Sequence, residues 1–244
     1  MGKNESILKM GRVLAIGDVH GCLKALKRLL KFVAPVKGDI IVMLGDYVDR
    51  GPKSKGVIDY LLNWKWDAEL ICLKGNHELI MDHSRRSKIH NDHWMEVGGE
   101  ETLGSYGGSL SEVPAAHWKF IRKALSFYET DDCIFVHGGL APKAPPEEQD
   151  EEEMAWMRFC DAKPHQSGKL VICGHTVQRK GIPSDRGHSI CIDTAACRGG
   201  WLTCLDHQQG RFWQVQQKGK LKRMGKLPRK YRKLRKKVTL MKGR

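Results

Sequence analysis

Six residues that could bind metal ions follow short apolar segments of the sequence. They are Asp18, His20, Asp46, Asn76, His137 and His175. The preceding segments, such as residues 13–16, are short and continuously apolar, which is typical of buried strands. Because α/β proteins bind ligands at the carboxyl ends of such strands, we predict that the six side chains meet at one metal site.

The donor types restrict the metal. Carboxylate, imidazole and amide donors without cysteine suit divalent ions such as Mn, Fe or Zn. Two such ions about 3.5–4 Å apart can hold a phosphoryl group and keep a water between them as hydroxide. We predict that Asp46 bridges the two ions. The first ion would also bind Asp18 and His20, and the second Asn76, His137 and His175.

Four further residues are predicted to act on the substrate. His77 directly follows a ligand, and neighbours in an extended chain point to opposite sides, so we expect it beside the metals rather than bound to them. A histidine there could protonate a leaving alkoxide, with Asp49 holding its ring in the donating tautomer. Arg50 and Arg158 could supply forked donors to the phosphate oxygens.

Each of these residues has a simpler explanation when it is taken alone. A single histidine is more often structural than a ligand, and an Asp after a strand is commonly a helix cap. The coincidence of five strand ends that each carry a donor favours the metal site. His188 is the alternative to His175 as a ligand. The other histidines are predicted to be structural or solvent-facing: His83, His90, His93, His117, His165 and His207.

The positive charge of the chain is concentrated at one end. The sequence has 42 Lys and Arg against 28 Asp and Glu, a net charge of +14. Residues 218–244 contain 14 of these basic residues and no acidic one, so residues 1–217 are formally neutral. We predict a catalytic domain over residues 1–217 and a basic tail over residues 218–244. The tail is either solvated or a binding site for nucleic acid or an acidic partner, with a short amphipathic helix through Tyr231, Leu234 and Val238 conceivable.

Cysteine usage and hydropathy suggest the compartment. The eight cysteines are scattered without a CxxC pair, which favours reduced thiols, although a zinc site built from Cys197 and Cys204 is an alternative. No apolar stretch approaches the roughly 20 residues of a membrane span, and residues 1–11 do not resemble a signal peptide. We expect a cytoplasmic monomer that does not bind membranes.

The segments between the strands are expected to be helical. Residues 82–130 are predicted to form a helical insertion that caps the site, with one helix over residues 115–128. The acidic run over residues 147–153 is predicted to be a solvated loop or first helical turn, or alternatively a lid that repels anionic competitors. Residues 201–205 and 211–215 are predicted to form a hairpin.

The motifs resemble those of the phosphoprotein phosphatase (PPP) family of metallophosphoesterases, particularly its bacterial members. They are GDxHG at 17–21, GDxVDRG at 45–51, GNHE at 75–78, HG at 137–138 and GH at 174–175. The resemblance implies an α/β fold, the metallo-dependent phosphatase αββα β-sandwich with flanking helices. It also implies the ligands and substrate-binding residues given above; for Arg158 the resemblance is limited to the sequence Trp156-Met157-Arg158.

A second group of the same superfamily, the symmetrical diadenosine tetraphosphate hydrolases, is similar at residues 17–22, 193–200 and 202–205. Those enzymes typically have Ala in place of Asp49 and Asp in place of Glu78. The sequence therefore predicts a phosphatase acting on phosphoserine and phosphothreonine in proteins, with phosphotyrosine as a further candidate substrate. The alternatives are a symmetrical diadenosine tetraphosphate hydrolase and a nucleic-acid-binding factor that acts through the basic tail.

Overall fold

Two β-sheets pack face to face in the computed structural model, which describes residues 11–218 and 222–227. The first sheet has the strand order β11-β10-β9-β1-β2-β3, and the second has the order β4-β5-β6-β8-β7. The strands are β1 Val13–Ile16, β2 Ile40–Met43, β3 Glu69–Cys72, β4 Phe127–Glu129, β5 Cys133–Val136, β6 Leu170–Cys173, β7 Ser184–Asp185, β8 Ser189–Cys191, β9 Leu202–Asp206, β10 Arg211–Val215 and β11 Lys222–Lys226.

Helices cover the outer faces of both sheets. They are α1 Leu23–Val33, α2 Ser54–Leu62, α3 Asn76–His83, α4 Lys88–Trp94, α5 Glu100–Ser105, α6 Ala115–Lys123 and α7 Glu151–Trp156. One apolar core fills the space between the sheets, where Ala15 and Val42 of the first sheet meet Phe135 and Ile172 of the second. This arrangement confirms the predicted αββα sandwich.

Parallel pairing brings the ends of the predicted ligand strands together. Strand β1 pairs in parallel with β2, and β2 with β3. In the second sheet β5 pairs in parallel with β6. Since the carboxyl ends of parallel strands lie at the same edge, the residues that follow β1, β2, β3, β5 and β6 converge at one end of the sandwich.

The insertion between α3 and β5 is helical, but its last helix is shorter than predicted. Helix α6 ends at Lys123, because residues 127–129 extend into strand β4 and pair with β5. The acidic run begins helix α7, where Asp150 Oδ1 accepts hydrogen bonds from the backbone N–H groups of Glu152 and Glu153. This is the predicted first helical turn.

The first sheet continues beyond the predicted end of the catalytic domain at residue 217. Strand β11 lies in the segment assigned to the basic tail and pairs antiparallel with β10. The amphipathic helix considered for Tyr231, Leu234 and Val238 lies outside the described residues. All eight cysteines are free, and no helix among the described residues is long and apolar enough to cross a membrane.

Candidate metal centre

The six predicted ligands form one cluster around Asp46. Its Oδ2 lies 3.3 Å from His20 Nε2, and its Oδ1 lies 3.3 Å from His137 Nε2. The Asn76 Oδ1 atom lies 3.0 Å from both His137 Nε2 and His175 Nδ1. The backbone N–H of His175 donates to Asp18. Apart from half-buried His175, these residues are buried.

Backbone carbonyls fix the tautomers of two histidines. His20 Nδ1 lies 2.7 Å from the carbonyl oxygen of Val48, and His137 Nδ1 lies 2.8 Å from that of Leu44. A carbonyl only accepts, so each Nδ1 must carry the proton. Each Nε2 lone pair then points toward Asp46, which is the arrangement that metal-binding histidines require.

The buried carboxylates fit a pair of cations. Burial raises the pKa of Asp18, and the charges of Asp193 and Asp46 raise it further. Burial would also raise the pKa of Asp46, but His137 and other neighbouring histidines hold it well below its usual value. Several carboxylates buried together are costly unless positive charge compensates them, and divalent ions would supply it.

Asp46 belongs to two groups of three potential metal-binding side chains. Within each group, the donor atoms lie within 4.8 Å of one another. One group contains His20 and His77, and the other contains Asp18 and His137. The two oxygens of Asp46 lie 3.3 Å from different ligand histidines, His20 and His137, as a carboxylate that bridges two ions requires, so the donor set fits a dinuclear centre. The groups described in the structure do not include Cys197 or Cys204, the residues of the alternative zinc site.

Strained turns bring the ligands together. His20, Asp46 and His175 have positive φ angles of 42°, 52° and 60°, a region that residues other than glycine rarely occupy. Glycine permits the close approach of neighbouring turns, because a Cβ atom at Gly75 would lie 2.2 Å from Asp46 Oδ1. The glycines that flank the motifs are therefore needed for packing.

Glu78 supports the turn that carries Asp46, a role that the sequence reasoning did not assign. Its carboxylate accepts hydrogen bonds from the backbone N–H groups of Asp46, Tyr47 and Gly75, at 2.8, 2.8 and 2.9 Å. Burial raises the pKa of Glu78 to about 8, with a contribution from the charge of Asp46. Glu78 thus ties the β2 turn to the start of α3.

His77 and Asp49 form a buried pair beside the ligands. His77 Nδ1 lies 2.7 Å from Asp49 Oδ2, and the His77 ring meets the His20 ring edge-on at 4.8 Å between centroids. The other oxygen of Asp49 accepts hydrogen bonds from Trp94 Nε1 at 3.0 Å and Thr102 Oγ1 at 2.8 Å. The sequence reasoning missed Trp94 and Thr102, since neither lies in a motif.

The two predicted phosphate-binding arginines are placed differently. Arg50 Nη1 lies 2.8 Å from His20 Nε2, at the edge of the ligand cluster. The backbone N–H of Arg50 donates to the carbonyl oxygen of Gly98, so the insertion holds this arginine. Arg158 is exposed after α7, and its side chain has no hydrogen bond or ion pair within the described part of the chain. The nearby Trp156 packs edge-on against His175, with 5.9 Å between ring centroids.

His188, the alternative to His175, lies elsewhere. Its Nε2 is 3.2 Å from the carbonyl oxygen of Ala162, and it belongs to none of the donor groups found among the described residues. Three of the remaining histidines contact carboxylates outside the cluster: His83 with Glu152 at 3.6 Å, His117 with Asp59 at 3.0 Å, and His207 with Asp132 at 3.4 Å.

The fold and the ligand cluster are of the kind found in metal-dependent phosphoesterases. Residues 11–193 match the model of the calcineurin-like phosphoesterases, and the chain belongs to this family. The wider superfamily predicted from the motifs is thereby confirmed.

Similar proteins differ in the activity their names describe. The chain is 31% identical over 140 residues to a symmetrical bis(5'-nucleosyl)-tetraphosphatase of Pseudomonas syringae pv. tomato, covering 54% of this chain and 41% of the relative. It is 32% identical over 138 residues to a candidate serine/threonine-protein phosphatase of Schizosaccharomyces pombe, covering 53% and 39%. The chain thus spans less than half the length of these relatives. A crystal structure of a candidate diadenosine tetraphosphatase has the same fold, with a TM-score of 0.60 and 23% identity over 81% of this chain and 89% of that one.

Proposed function

We propose that this chain is a dinuclear metal-dependent phosphatase that removes phosphate from phosphoserine and phosphothreonine in proteins, with phosphotyrosine as a further candidate substrate. The observation that carries the proposal is the buried contact of 2.7 Å between His77 and Asp49. Their positions beside the ligand cluster suit a general acid and the carboxylate that orients it.

The leaving group explains why such a pair would be needed. Cleavage of phosphoserine expels an alkoxide, a strong base that must be protonated as it leaves. With Nδ1 of His77 donating to Asp49, Nε2 is the nitrogen that can carry the proton to the alkoxide. A nucleoside polyphosphate is a much weaker base and can leave without a proton, which is consistent with the Ala that symmetrical tetraphosphate hydrolases typically have in place of Asp49.

The other residues of the cluster have complementary roles in this proposal. The ions would be held by Asp18, His20, Asp46, Asn76, His137 and His175. When bound, such ions polarise phosphoryl oxygens and lower the pKa of a bound water. Arg50, at the edge of the cluster, would contact the phosphate oxygens in a forked geometry, and exposed Arg158 would reach them from the segment after α7. Mn is the first candidate metal, with Fe and Zn as alternatives.

The second candidate function is symmetrical hydrolysis of dinucleoside tetraphosphates. Seven relatives of this chain are named for this activity, so the names of relatives favour the second candidate more than the first. Residues 193–200 also resemble that group. Its substrate would be cleaved between phosphates, and the His77–Asp49 pair would then be dispensable.

One comparison of substrates separates the two. The protein reconstituted with Mn²⁺ should have a higher kcat/KM for phosphoserine and phosphothreonine peptides than for diadenosine tetraphosphate. The Asp49→Ala variant should lose peptide activity and retain most nucleotide activity. A preference of the unmodified protein for the nucleotide of about tenfold or more would contradict the first candidate and support the second.

A further inference from the structure

Helix α1 presents a row of lysines on the outer surface of the first sheet. Lys24, Lys27 and Lys31 follow a spacing of three and four residues, so they share the side opposite the buried Leu26 and Leu30. All three lysines are exposed and form no ion pair within the described ranges. Residues 21–38 contain five Lys and Arg and no acidic residue.

Two grooves with aromatic residues flank this row. One, of about 500 Å³, is lined by Lys27, Tyr60, Asn63, Lys65 and Trp66. The other, of about 320 Å³, is lined by Arg28, Lys31, Phe32, Val215 and Lys222. In the residues that the structure describes, neither lining includes an acidic side chain.

Each groove places a lysine against an aromatic ring. Lys27 Nζ lies 5.4 Å from the centroid of the Tyr60 ring, and Lys222 Nζ lies 4.7 Å from that of Phe32. Positive charge and a flat apolar surface therefore occur together on both sides of α1. We call this surface, formed by Lys24, Lys27, Lys31, Lys222, Phe32, Tyr60 and Trp66, the basic face.

Strand β11 adds to the basic face. Lys222 pairs with Val215 and Met224 with Trp213, so these side chains share the face of the sheet that packs against α1. Lysines on an edge strand commonly prevent pairing with another chain, and this explains Lys222 without any ligand. It does not explain the lysines of α1, because a helix offers no free strand edge that they would need to protect.

We propose that the basic face binds single-stranded nucleic acid, with phosphates on its lysines and bases against its aromatic side chains. Lysines neutralise the phosphate backbone, and unpaired bases stack on aromatic rings. The Asp and Glu side chains of an acidic peptide would supply the negative charge but no flat ring to stack. Bases in a duplex are already stacked on their neighbours and do not offer a free face to an aromatic side chain, so the proposal is for single strands. Binding here is separate from hydrolysis, because the grooves lie along α1 rather than at the metal centre.

The test measures binding of a dye-labelled oligouridylate of about 15 nucleotides to the full chain by fluorescence anisotropy, over about 50 to 200 mM salt. The triple variant Lys27→Gln, Lys31→Gln, Lys222→Gln is compared with Lys88→Gln, Lys163→Gln, Lys180→Gln, which removes the same charge from exposed positions elsewhere. The first triple should bind at least about tenfold more weakly, with a salt slope reduced by about 2, and the second should bind like the unmodified protein.

Two further measurements distinguish nucleic acid from an acidic protein. Trp66→Ala should weaken oligouridylate binding about fivefold or more, and polyglutamate of equal charge should bind more weakly than the oligonucleotide. Hydrolysis of p-nitrophenyl phosphate should be unchanged in the first triple variant, which separates this proposal from the proposed function. Equal loss of binding in both triples, or equal affinity for polyglutamate without an effect of Trp66→Ala, would overturn the proposal.

Discussion

The indole of Trp94 donates a 3.0 Å hydrogen bond to Oδ1 of Asp49, whose other oxygen contacts His77. A residue of the helical insertion thereby orients the carboxylate that orients the proposed acid. Because Trp94 and Asp49 are fully buried, this chain of contacts is protected from water. The insertion therefore contributes to the geometry of the site.

Removing the orienting carboxylate should affect substrates according to their leaving groups. Asp49→Asn should lower kcat for a phosphoserine peptide by about 10²-fold or more. Trp94 and Thr102 would hold the amide oxygen on their side, so the amide NH2 group would face His77 Nδ1 and could not accept its proton. The loss should be much smaller for an aryl phosphate with an acidic phenol, which leaves without a proton. Asp59→Asn, which alters the Asp59–His117 pair outside the cluster, should change neither rate. Equal losses on both substrates would exclude His77 as the acid.

Gly98 is predicted to position Arg50. It has a φ angle of 114°, and a Cβ atom there would lie 2.7 Å from Cγ of Arg50 and 2.8 Å from its N. Gly98→Ala should raise KM for a phosphomonoester because the arginine must move. Gly108 has a φ angle of 97° and no atom within 4 Å of its Cβ position, so Gly108→Ala introduces comparable backbone strain without the clash. Backbone strain should destabilise both variants by about 1–2 kcal/mol, and the clash should destabilise Gly98→Ala further. A KM unchanged in Gly98→Ala would contradict the role.

Asp18 should have opposite effects on stability with and without metal. In a chelator, Asp18→Asn should raise the melting temperature, because it removes a buried carboxylate that is repelled by Asp193 and Asp46. With excess Mn²⁺, the unmodified protein should gain stability by mass action and the variant should gain less. The check is thermal unfolding followed by circular dichroism under both conditions; a variant stabilised by Mn²⁺ as much as the unmodified protein would show that Asp18 is not a ligand.

The contact between Asp132 and His207 should make the stability of the protein depend on pH. The hydrogen bond with His207 lowers the pKa of Asp132 from 3.8 to about 2. A carboxyl whose pKa is depressed by folding stabilises the protein above its unfolded pKa, and this contribution is lost as the pH falls from about 4 to 2. Asp132→Asn should flatten the change in unfolding free energy over that window, as measured by urea denaturation. The control is Asp131→Asn at the exposed neighbouring position. An equal loss of pH dependence in that control would contradict the role of the Asp132–His207 contact.

The sequence predicted what is encoded in short motifs. The ligands follow apolar strands directly, so Asp18 and Asn76 could be placed at one sheet edge from their positions alone. The contacts of Trp94 and Thr102 with Asp49 join residues 45 and 53 positions apart, and no local pattern indicates them. The role of Glu78 was missed for a related reason, since its partners are backbone N–H groups on another strand turn.

The boundary between the sheet and the basic tail was harder to predict from the sequence. Composition alone groups Lys222 and Lys226 with the tail, because charge density hides the alternation that marks an edge strand. Their pairing with β10 depends on the register of residues 211–215, which a charge count does not reveal. The extent of helix α6 was overestimated because strand β4 forms only when β5 is available as its partner.

The most direct test of the whole account is the metal content of the purified protein after saturation with Mn²⁺ and removal of free ions. The unmodified chain should retain two ions per molecule, as measured by inductively coupled plasma mass spectrometry. Asp46→Asn should retain fewer than two and lose phosphoesterase activity, because both ions depend on the shared carboxylate. Retention of two ions with full activity in Asp46→Asn would contradict the central claim that Asp46 joins a dinuclear centre.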